Sequence, residues 1–309
     1  LKDWTGKLTP VLEPGGTRVA GFNGSSPAAK SKGFIYDLAA DQKSTDPSLA
    51  GLRPFAIRGD YLVGSDSSKP RQMTGFVMRL SSKKKTYPSS GMSTINAVTA
   101  KGECVGGEAE GGGKGAPPKA KLWSTGSSLT IGALEGDIAS QANDINSERV
   151  IVGASFKTPV SPRAFRYDKE VMEDISSGLR SAALAINDSG CAVGAVELNG
   201  RRQAALWEPG STKPKLLESN ERESAACTVS PAGIAAGWIK TKGGPSGVLW
   251  IDGKPLIVND LLAAGSKRLW DVVSITGLDE GQTVLVGIGR YKGDKGKAKL
   301  HAFVARAAP

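Results

Sequence analysis

The segment Ala185-Ile186-Asn187-Asp188-Ser189-Gly190-Cys191-Ala192-Val193-Gly194, with Gln203-Ala204-Ala205-Leu206-Trp207 after it, decides the fold of this 309-residue chain. Its turn, Asn187 to Gly190, lies between two short apolar runs and is a hairpin signal. A third apolar run, the pentapeptide that ends in Trp207, follows a longer loop. Runs of this length between turn residues predict short antiparallel β-strands.

The pentapeptide occurs seven times along the chain. Its second residue is always Ala or Gly, and its fifth residue is aromatic in five copies. A small residue at a fixed place beside bulky strand formers predicts close packing between neighbouring repeats. The seven copies are Lys32–Tyr36, Thr74–Met78, Lys119–Trp123, Arg163–Tyr167, Gln203–Trp207, Ser246–Trp250 and His301–Ala305.

A second signature, an apolar pair followed by glycine, precedes each pentapeptide. Its glycines recur every 41 to 50 residues, which is the period of β-propeller blades. They are Gly21, Gly64, Gly106, Gly153, Gly194, Gly237 and Gly287. We interpret each repeat as strand A containing an Ile-Asn phrase (Ile95-Asn96, Ile145-Asn146, Ile186-Asn187), strand B ending in the glycine, strand C formed by the pentapeptide, and strand D.

The repeat therefore predicts an all-β, seven-bladed β-propeller with four antiparallel strands per blade, as a single domain over residues 1–309. Too few residues follow the seventh pentapeptide to form a strand D, so residues 1–4 are expected to supply that strand and close the ring. The expected blades are approximately 5–45, 46–88, 89–137, 138–178, 179–220, 221–265, and 266–309 together with 1–4.

These motifs resemble the HAF-repeat family of bacterial, often exported proteins, most literally at Ala185-Ile186-Asn187 and at His301-Ala302-Phe303. The chain departs from the family pattern because it keeps the histidine in one repeat of seven. The resemblance implies a propeller-like fold and a secreted, periplasmic or cell-surface location. It implies no defined biochemical role.

No catalytic, cofactor or metal site is predicted. His301, the only histidine, occupies a position of the structural repeat, which argues against most zinc sites and histidine-based catalysis. The glycine-rich segment Gly111–Gly115 lacks the spacing of a phosphate-binding loop and is interpreted as a hairpin loop. Since no apolar run approaches the roughly 18 residues of a membrane span, none is expected.

The net charge of +10 and the pI near 9.5 favour anionic partners. Each predicted B–C loop, read into the start of strand C, contains at least two basic residues, whereas the A–B turns contain mostly acids. The candidate binding residues on this basic face are Lys30, Lys32, Lys69, Arg71, Lys114, Lys157, Arg163, Arg201, Arg202, Lys240, Lys242, Arg290 and Lys292. Trp238, Trp270 and Tyr291 fall outside the tryptophan positions of the repeat and are candidates for stacking on a ligand.

The favoured function is a non-enzymatic binding module, expected to be a monomer, that docks an anionic polymer or an acidic protein surface. Suitable partners are acidic glycans and lipopolysaccharide phosphates. Nucleic acid is a weaker partner, because the basic loops contain few aromatic residues. Two alternatives stay open: a structural propeller domain of a surface protein, and a hydrolase or lyase with its site at the channel mouth.

Overall fold

Seven antiparallel sheets surround a common axis in the computed structural model, which describes residues 10–23, 32–44, 46–66, 68, 73–110, 116–293 and 299–306. The first four sheets comprise β1 (Val11–Leu12), β2 (Arg18–Asn23), β3 (Lys32–Asp37), β4 (Gln42–Ser44); β5 (Leu52–Arg58), β6 (Tyr61–Asp66), β7 (Thr74–Arg79), β8 (Lys84–Thr86); β9 (Ser93–Val98), β10 (Cys104–Ala109), β11 (Pro118–Ser124), β12 (Ser127–Gly132); and β13 (Ala139–Ile145), β14 (Ile151–Phe156), β15 (Pro162–Asp168), β16 (Val171–Asp174). The last three comprise β17 (Ser181–Ile186), β18 (Ala192–Leu198), β19 (Arg201–Trp207), β20 (Lys215–Leu216); β21 (Ser224–Val229), β22 (Ala235–Thr241), β23 (Gly244–Ile251), β24 (Lys254–Ile257); and β25 (Trp270–Leu278), β26 (Val284–Tyr291), β27 (Lys299–Arg306).

The chain is thus an all-β, seven-bladed propeller, and the prediction from the repeat is confirmed. In each sheet the strands run A to D from the axis outward, in chain order. Helices contribute little to the described part of the chain: a 3-10 turn, Pro47–Leu49, precedes β5, and α1 (Val258–Leu261) and α2 (Ala264–Leu269) lie between blades six and seven. None of the helices in the described ranges is long and apolar enough to cross a membrane.

The repeated position in strand B is occupied by glycine because the backbone of strand A lies too close to it to leave room for a side chain. A Cβ atom on Gly194 would lie 2.0 Å from the carbonyl oxygen of Ala182, and one on Gly64 would lie 2.0 Å from that of Arg53. Strand A carries a β-bulge opposite this glycine in blades two to seven. The sequence interpretation placed the glycine at the end of strand B, but the strand continues past it in every blade.

The small second residue of the pentapeptide packs against the next blade. A Cβ atom on Gly75 would lie 2.7 Å from the Ile95 side chain, and one on Gly247 would lie 2.5 Å from that of Val272. In four blades the backbone N–H of this residue also donates to a serine hydroxyl in strand A of the following blade, at 2.7 to 3.0 Å. The acceptors are Ser93, Ser140, Ser181 and Ser224.

Four of the A–B turns share one side-chain hydrogen bond, and our alignment of the seven repeats placed it correctly in only some of them. The side chains of Asn146, Asn187 and Ser230 each accept a hydrogen bond from the backbone N–H four residues later, which closes the turn. In blade three this role belongs to Thr99, whose hydroxyl accepts from Glu103 N. Asn96, which we aligned with Asn146, instead occupies the bulge of strand A. The alignment of Ile95-Asn96 was therefore shifted by three residues.

Blade seven packs against blade one and completes the ring. The Thr276 hydroxyl donates to the carbonyl oxygen of Pro10 at 2.6 Å, and Glu280 N donates to that of Pro14 at 3.0 Å. Within the described residues the seventh sheet has three strands. The expected fourth strand, residues 1–4, lies outside the described residues.

Candidate ligand-binding channel

An axial channel of about 720 Å³ lies among the described residues. Strand A of every blade contributes to its wall, since strand A is the innermost strand of each sheet. We call the end that carries the B–C loops and D–A connections the B–C face, and the opposite end the A–B face. Ligand cavities of roughly 300–1,000 Å³ are usual for small molecules and short segments, so this channel has the size of a binding site.

The bulges select the side chains that line the channel. A bulge inserts one extra residue and re-aims the side chains beside it. In six blades the extra residue of strand A lines the channel, and blades three and four alone share a residue type at this position. These residues are Phe55, Asn96, Asn143, Leu184, Cys227 and Thr276.

Blades three and four form a polar wall. The side-chain amide nitrogens of Asn96 and Asn143 donate to the carbonyl oxygens of Ala142 and Ala183, in each case in the following blade, at 2.7 Å. Gln141 Nε2 donates to the Thr94 hydroxyl at 3.1 Å. These amides tie neighbouring strands together and are held in fixed orientations.

The walls near the B–C face are aromatic and apolar. Phe22, Phe55, Met73 and Trp238 line the channel there, and the Arg53 guanidinium lies 5.3 Å from the centroid of the Phe22 ring. A cation over an aromatic face is attracted by the ring quadrupole. This half of the channel is suited to bulky apolar groups.

An ion pair crosses the channel at the A–B face. The guanidinium of Arg58, in blade two, donates to the carboxylate of Asp188, in blade five, at 2.9 Å. Asp188 is fixed from its other side, because it accepts a hydrogen bond from Ser147 N at 2.8 Å. The pair narrows this end of the channel.

Asp144 lines the channel beside this ion pair. Its carboxylate accepts hydrogen bonds from Ile186 N at 2.8 Å and from Ile145 N at 2.9 Å. Desolvation by burial raises the pKa of Asp144 to about 6, and the charge of Asp188 adds to the rise, while the two backbone donors and Arg58 oppose it. A carboxyl group with such a pKa in a cavity is a feature of functional sites.

Acids compensate part of the predicted basic face. Arg163 pairs with Asp137 and Asp174 at 3.0 and 2.8 Å, Lys240 pairs with Glu223 at 2.5 Å, and Arg290 pairs with Asp271 at 2.6 Å. Most of these acids lie in D–A connections or at the start of strand A, which a count of B–C loops leaves out.

The remaining predicted residues are scattered. Arg202 lines the channel, and Arg201 donates to the carbonyl oxygen of Glu221. Lys32, Lys157, Lys242 and Lys292 are exposed at separate places around the rim. Lys30, Lys69, Arg71 and Lys114 lie outside the described residues. The structure therefore brings one residue of the predicted set, Arg202, to the channel.

Of the three stacking candidates, Trp238 alone lies in the channel. Trp270 and Tyr291 pack against each other with ring centroids 5.0 Å apart, and each also contacts the His301 ring. His301 is thus part of an aromatic cluster at the B–C end of blade seven.

The bulge residues were missed by sequence reasoning, although a signal for them was present. A glycine inside a strand indicates either a bulge or close approach of another backbone. The repeated strand B glycine therefore marks a bulge on its partner strand. The residue inserted there follows no repeat, so its side chain had to be identified from the structure.

No family model and no curated protein matches this sequence. Its fold is similar to solved structures of peptidases. One, from a study of two prolyl endopeptidases, has a TM-score of 0.64 at 12% identity and covers 97% of this chain and 50% of its own. A puromycin-hydrolyzing peptidase of Mycobacterium tuberculosis has a TM-score of 0.61 at 14% identity, covering 97% and 53%. The β-propeller domain of the Trilobed protease of Pyrococcus furiosus has a TM-score of 0.60 at 12% identity, covering 81% and 82%.

At these identities the similarity shows the fold alone, and the chain spans about half the length of the two peptidase chains. The predicted function, a non-enzymatic module that docks an anionic partner on a basic face, is wrong in the light of these comparisons. The three similar structures described above come from peptidases or a protease. The predicted face contains acids that pair with its basic residues.

Proposed function

We propose that this propeller is the substrate-handling domain of a peptidase and binds a peptide segment in its axial channel. The observation that carries the proposal is the channel wall, where fixed side-chain amides on blades three and four accompany an aromatic and apolar lining. A peptide presents backbone hydrogen-bonding groups and apolar side chains together, and this wall complements both. The similarity of this fold to solved structures of peptidases supports the same conclusion.

The catalytic groups are expected in a separate domain that covers the B–C face. Several exposed large apolar side chains lie on this face. They lie in B–C loops, in D–A connections or at the strand ends beside them, and they are Met73, Tyr87, Met92, Ile138, Val160, Leu261, Leu269 and Leu300. Most of the other exposed apolar side chains lie on the outermost strands. Exposed apolar patches of this kind mark protein–protein contacts.

Isothermal titration calorimetry with a capped pentapeptide of alanine and phenylalanine tests the proposal. We expect saturable binding with one peptide per chain. The variant Leu184→Trp fills the channel at the bulge of blade five and should abolish binding.

The matched control is Leu216→Trp, which places the same side chain on an exposed strand D of the same blade. It should bind the peptide like the wild type. Absence of saturable binding to the wild type, or unchanged binding by Leu184→Trp with an unchanged melting temperature, would overturn the proposal.

Three earlier expectations stay predictions. These are the resemblance to the HAF-repeat family, the exported location that this resemblance implies, and a monomeric state. Size-exclusion chromatography with light scattering tests the last of them.

A further inference from the structure

We infer that Asn96, Asn143 and Asp144 form a subsite for a primary ammonium group of the bound peptide. This inference rests on the proposed function and specifies which chemical group of the peptide enters the channel most deeply. The subsite is built from two neutral acceptors and one carboxylate on neighbouring blades.

The two asparagines are equivalent by the geometry of the fold. Each is the inserted residue of the strand A bulge, Asn96 in blade three and Asn143 in blade four. Each commits Nδ2 to a carbonyl oxygen of the next blade at 2.7 Å. A carbonyl oxygen only accepts, so nitrogen must face it and the orientation of each amide is determined.

This arrangement leaves two oriented acceptors at one level of the channel. Within the ranges that the structure describes, neither Asn96 Oδ1 nor Asn143 Oδ1 accepts a hydrogen bond, and both residues line the cavity. The other blades place Phe55, Leu184, Cys227 and Thr276 at this level. Paired carboxamides are therefore specific to one side of the channel.

Asp144 supplies the negative charge of the subsite. It directly follows Asn143, and the bulge brings both residues to the channel wall. The charged side chains that act on it are Arg58 and Asp188, which neutralise each other as an ion pair at 2.9 Å. Within the part of the chain that the structure describes, Asp144 forms no ion pair of its own, and its raised pKa is consistent with this position.

A primary ammonium group matches these three acceptors. It has three N–H donors and a positive charge, and it accepts nothing. Two carboxamide oxygens and one carboxylate satisfy all three donors and the charge together. A backbone amide has a single donor and no charge, so it would leave the carboxylate uncompensated. Both a free amino terminus and a lysine side chain carry this group.

Calorimetry with three matched pentapeptides tests the subsite near pH 7.5. The first has a free amino terminus, the second is Nα-acetylated, and the third is acetylated with one alanine replaced by lysine. We expect the free peptide to bind roughly tenfold or more tightly than the acetylated one, because hydrogen bonds to charged groups are the stronger ones. Rescue by the third peptide would identify a lysine side chain as a second source of the ammonium group, whereas no rescue would restrict the subsite to the amino terminus.

The variants Asn96→Leu and Asn143→Leu place at these bulges the residue that blade five already has there, Leu184. Each should reduce the preference for the free peptide to less than threefold, and Asp144→Asn should abolish it. Asp60→Asn, which breaks an ion pair with Arg79 away from the channel, should retain the preference. Equal binding of free and acetylated peptides by the wild type would overturn the inference. Failure of every peptide to bind would instead overturn the proposed function.

A measurement on the wild type alone avoids any loss of folding in the variants. The free peptide should lower the pKa of Asp144 in an NMR titration, since the ammonium group stabilises the carboxylate. The acetylated peptide should leave it near 6. Equal pKa values with both peptides bound would contradict the subsite.

Discussion

The interfaces between blades and the wall of the channel are built by neighbouring residues of the same strands, yet they use the repeat in opposite ways. At the interfaces the same residue types recur in blade after blade, as in the small residue of the pentapeptide and the serine that binds it. Along the channel the equivalent bulge position holds a different residue in nearly every blade. Positions that hold the same residue type in successive blades maintain the ring. Positions whose residue type differs between blades are available for binding a ligand.

The largest expected effect is at the repeated strand B glycine. Gly194→Ala would place Cβ 2.0 Å from the Ala182 carbonyl oxygen, so two backbones must separate. We expect a loss of about 3 kcal/mol or more in the free energy of unfolding, measured in urea. Gly210→Ala is the control: it has open space around it but a φ of +77°, which costs about 1–2 kcal/mol. Equal losses in the two variants would contradict the crowding explanation.

A smaller loss in the free energy of unfolding is expected at the serines that join neighbouring blades. Ser224→Ala leaves the buried backbone N–H of Ala204 without its acceptor, which now lies at 2.9 Å. An unsatisfied buried donor costs about 1–3 kcal/mol, and urea unfolding should register this loss. Ser127→Ala, on an exposed strand D, should change the free energy of unfolding by less than about 0.5 kcal/mol. Equal free energies of unfolding for Ser224→Ala and Ser127→Ala would show that the hydrogen bond from Ala204 N to Ser224 does not stabilise the fold.

The blade interfaces are therefore the part of the molecule that the sequence predicts well. Because each interface needs a small residue at the same place, these residues recur at a regular spacing along the sequence. That spacing is sufficient to count seven blades. The serines Ser93, Ser140, Ser181 and Ser224 recur too, although we did not recognise their role in advance.

The channel wall could not be predicted in the same way. Asn96 follows an isoleucine just as Asn146 does, yet Asn96 lies in a bulge and Asn146 closes a turn. A dipeptide such as Ile-Asn does not determine which residue of the neighbouring strand it pairs with, because a bulge shifts the register by one residue. The basic residues illustrate the same limit, since the acids that pair with Arg163 and Lys240 come from connections outside the B–C loops.

The third prediction compares the stability of the wall with that of the core. Leu184 is half-buried in the channel and Ile239 is fully buried between blades five and six. Leu184→Ala should lower the free energy of unfolding by less than about 1 kcal/mol. Ile239→Ala should lower it by about 2–5 kcal/mol, because it leaves a cavity. A loss above 2 kcal/mol for Leu184→Ala in urea would show that the wall contributes to the fold and not to binding alone.

The smallest expected effects are shifts in the pKa of Asp144. Arg58 lowers this pKa and Asp188 raises it, so Arg58→Ala should raise the value above about 6 and Asp188→Asn should lower it, each by less than about one unit. Arg79→Ala, which breaks an exposed ion pair with Asp60 in the outer part of blade two, should leave it unchanged. NMR titration of the Asp144 side-chain carbon measures all three.

The sign of the accompanying stability change follows from proton binding. The folded protein holds a proton on Asp144 up to about pH 6, whereas the unfolded chain releases it near 3.8. The contribution of Asp144 to stability is therefore complete below about pH 4 and is lost as the pH rises through 6. Arg58→Ala extends the protonated range to higher pH, and Asp188→Asn shortens it. If the two variants shift the titration in the same direction, the opposing electrostatic roles of Arg58 and Asp188 at the A–B end of the channel are refuted.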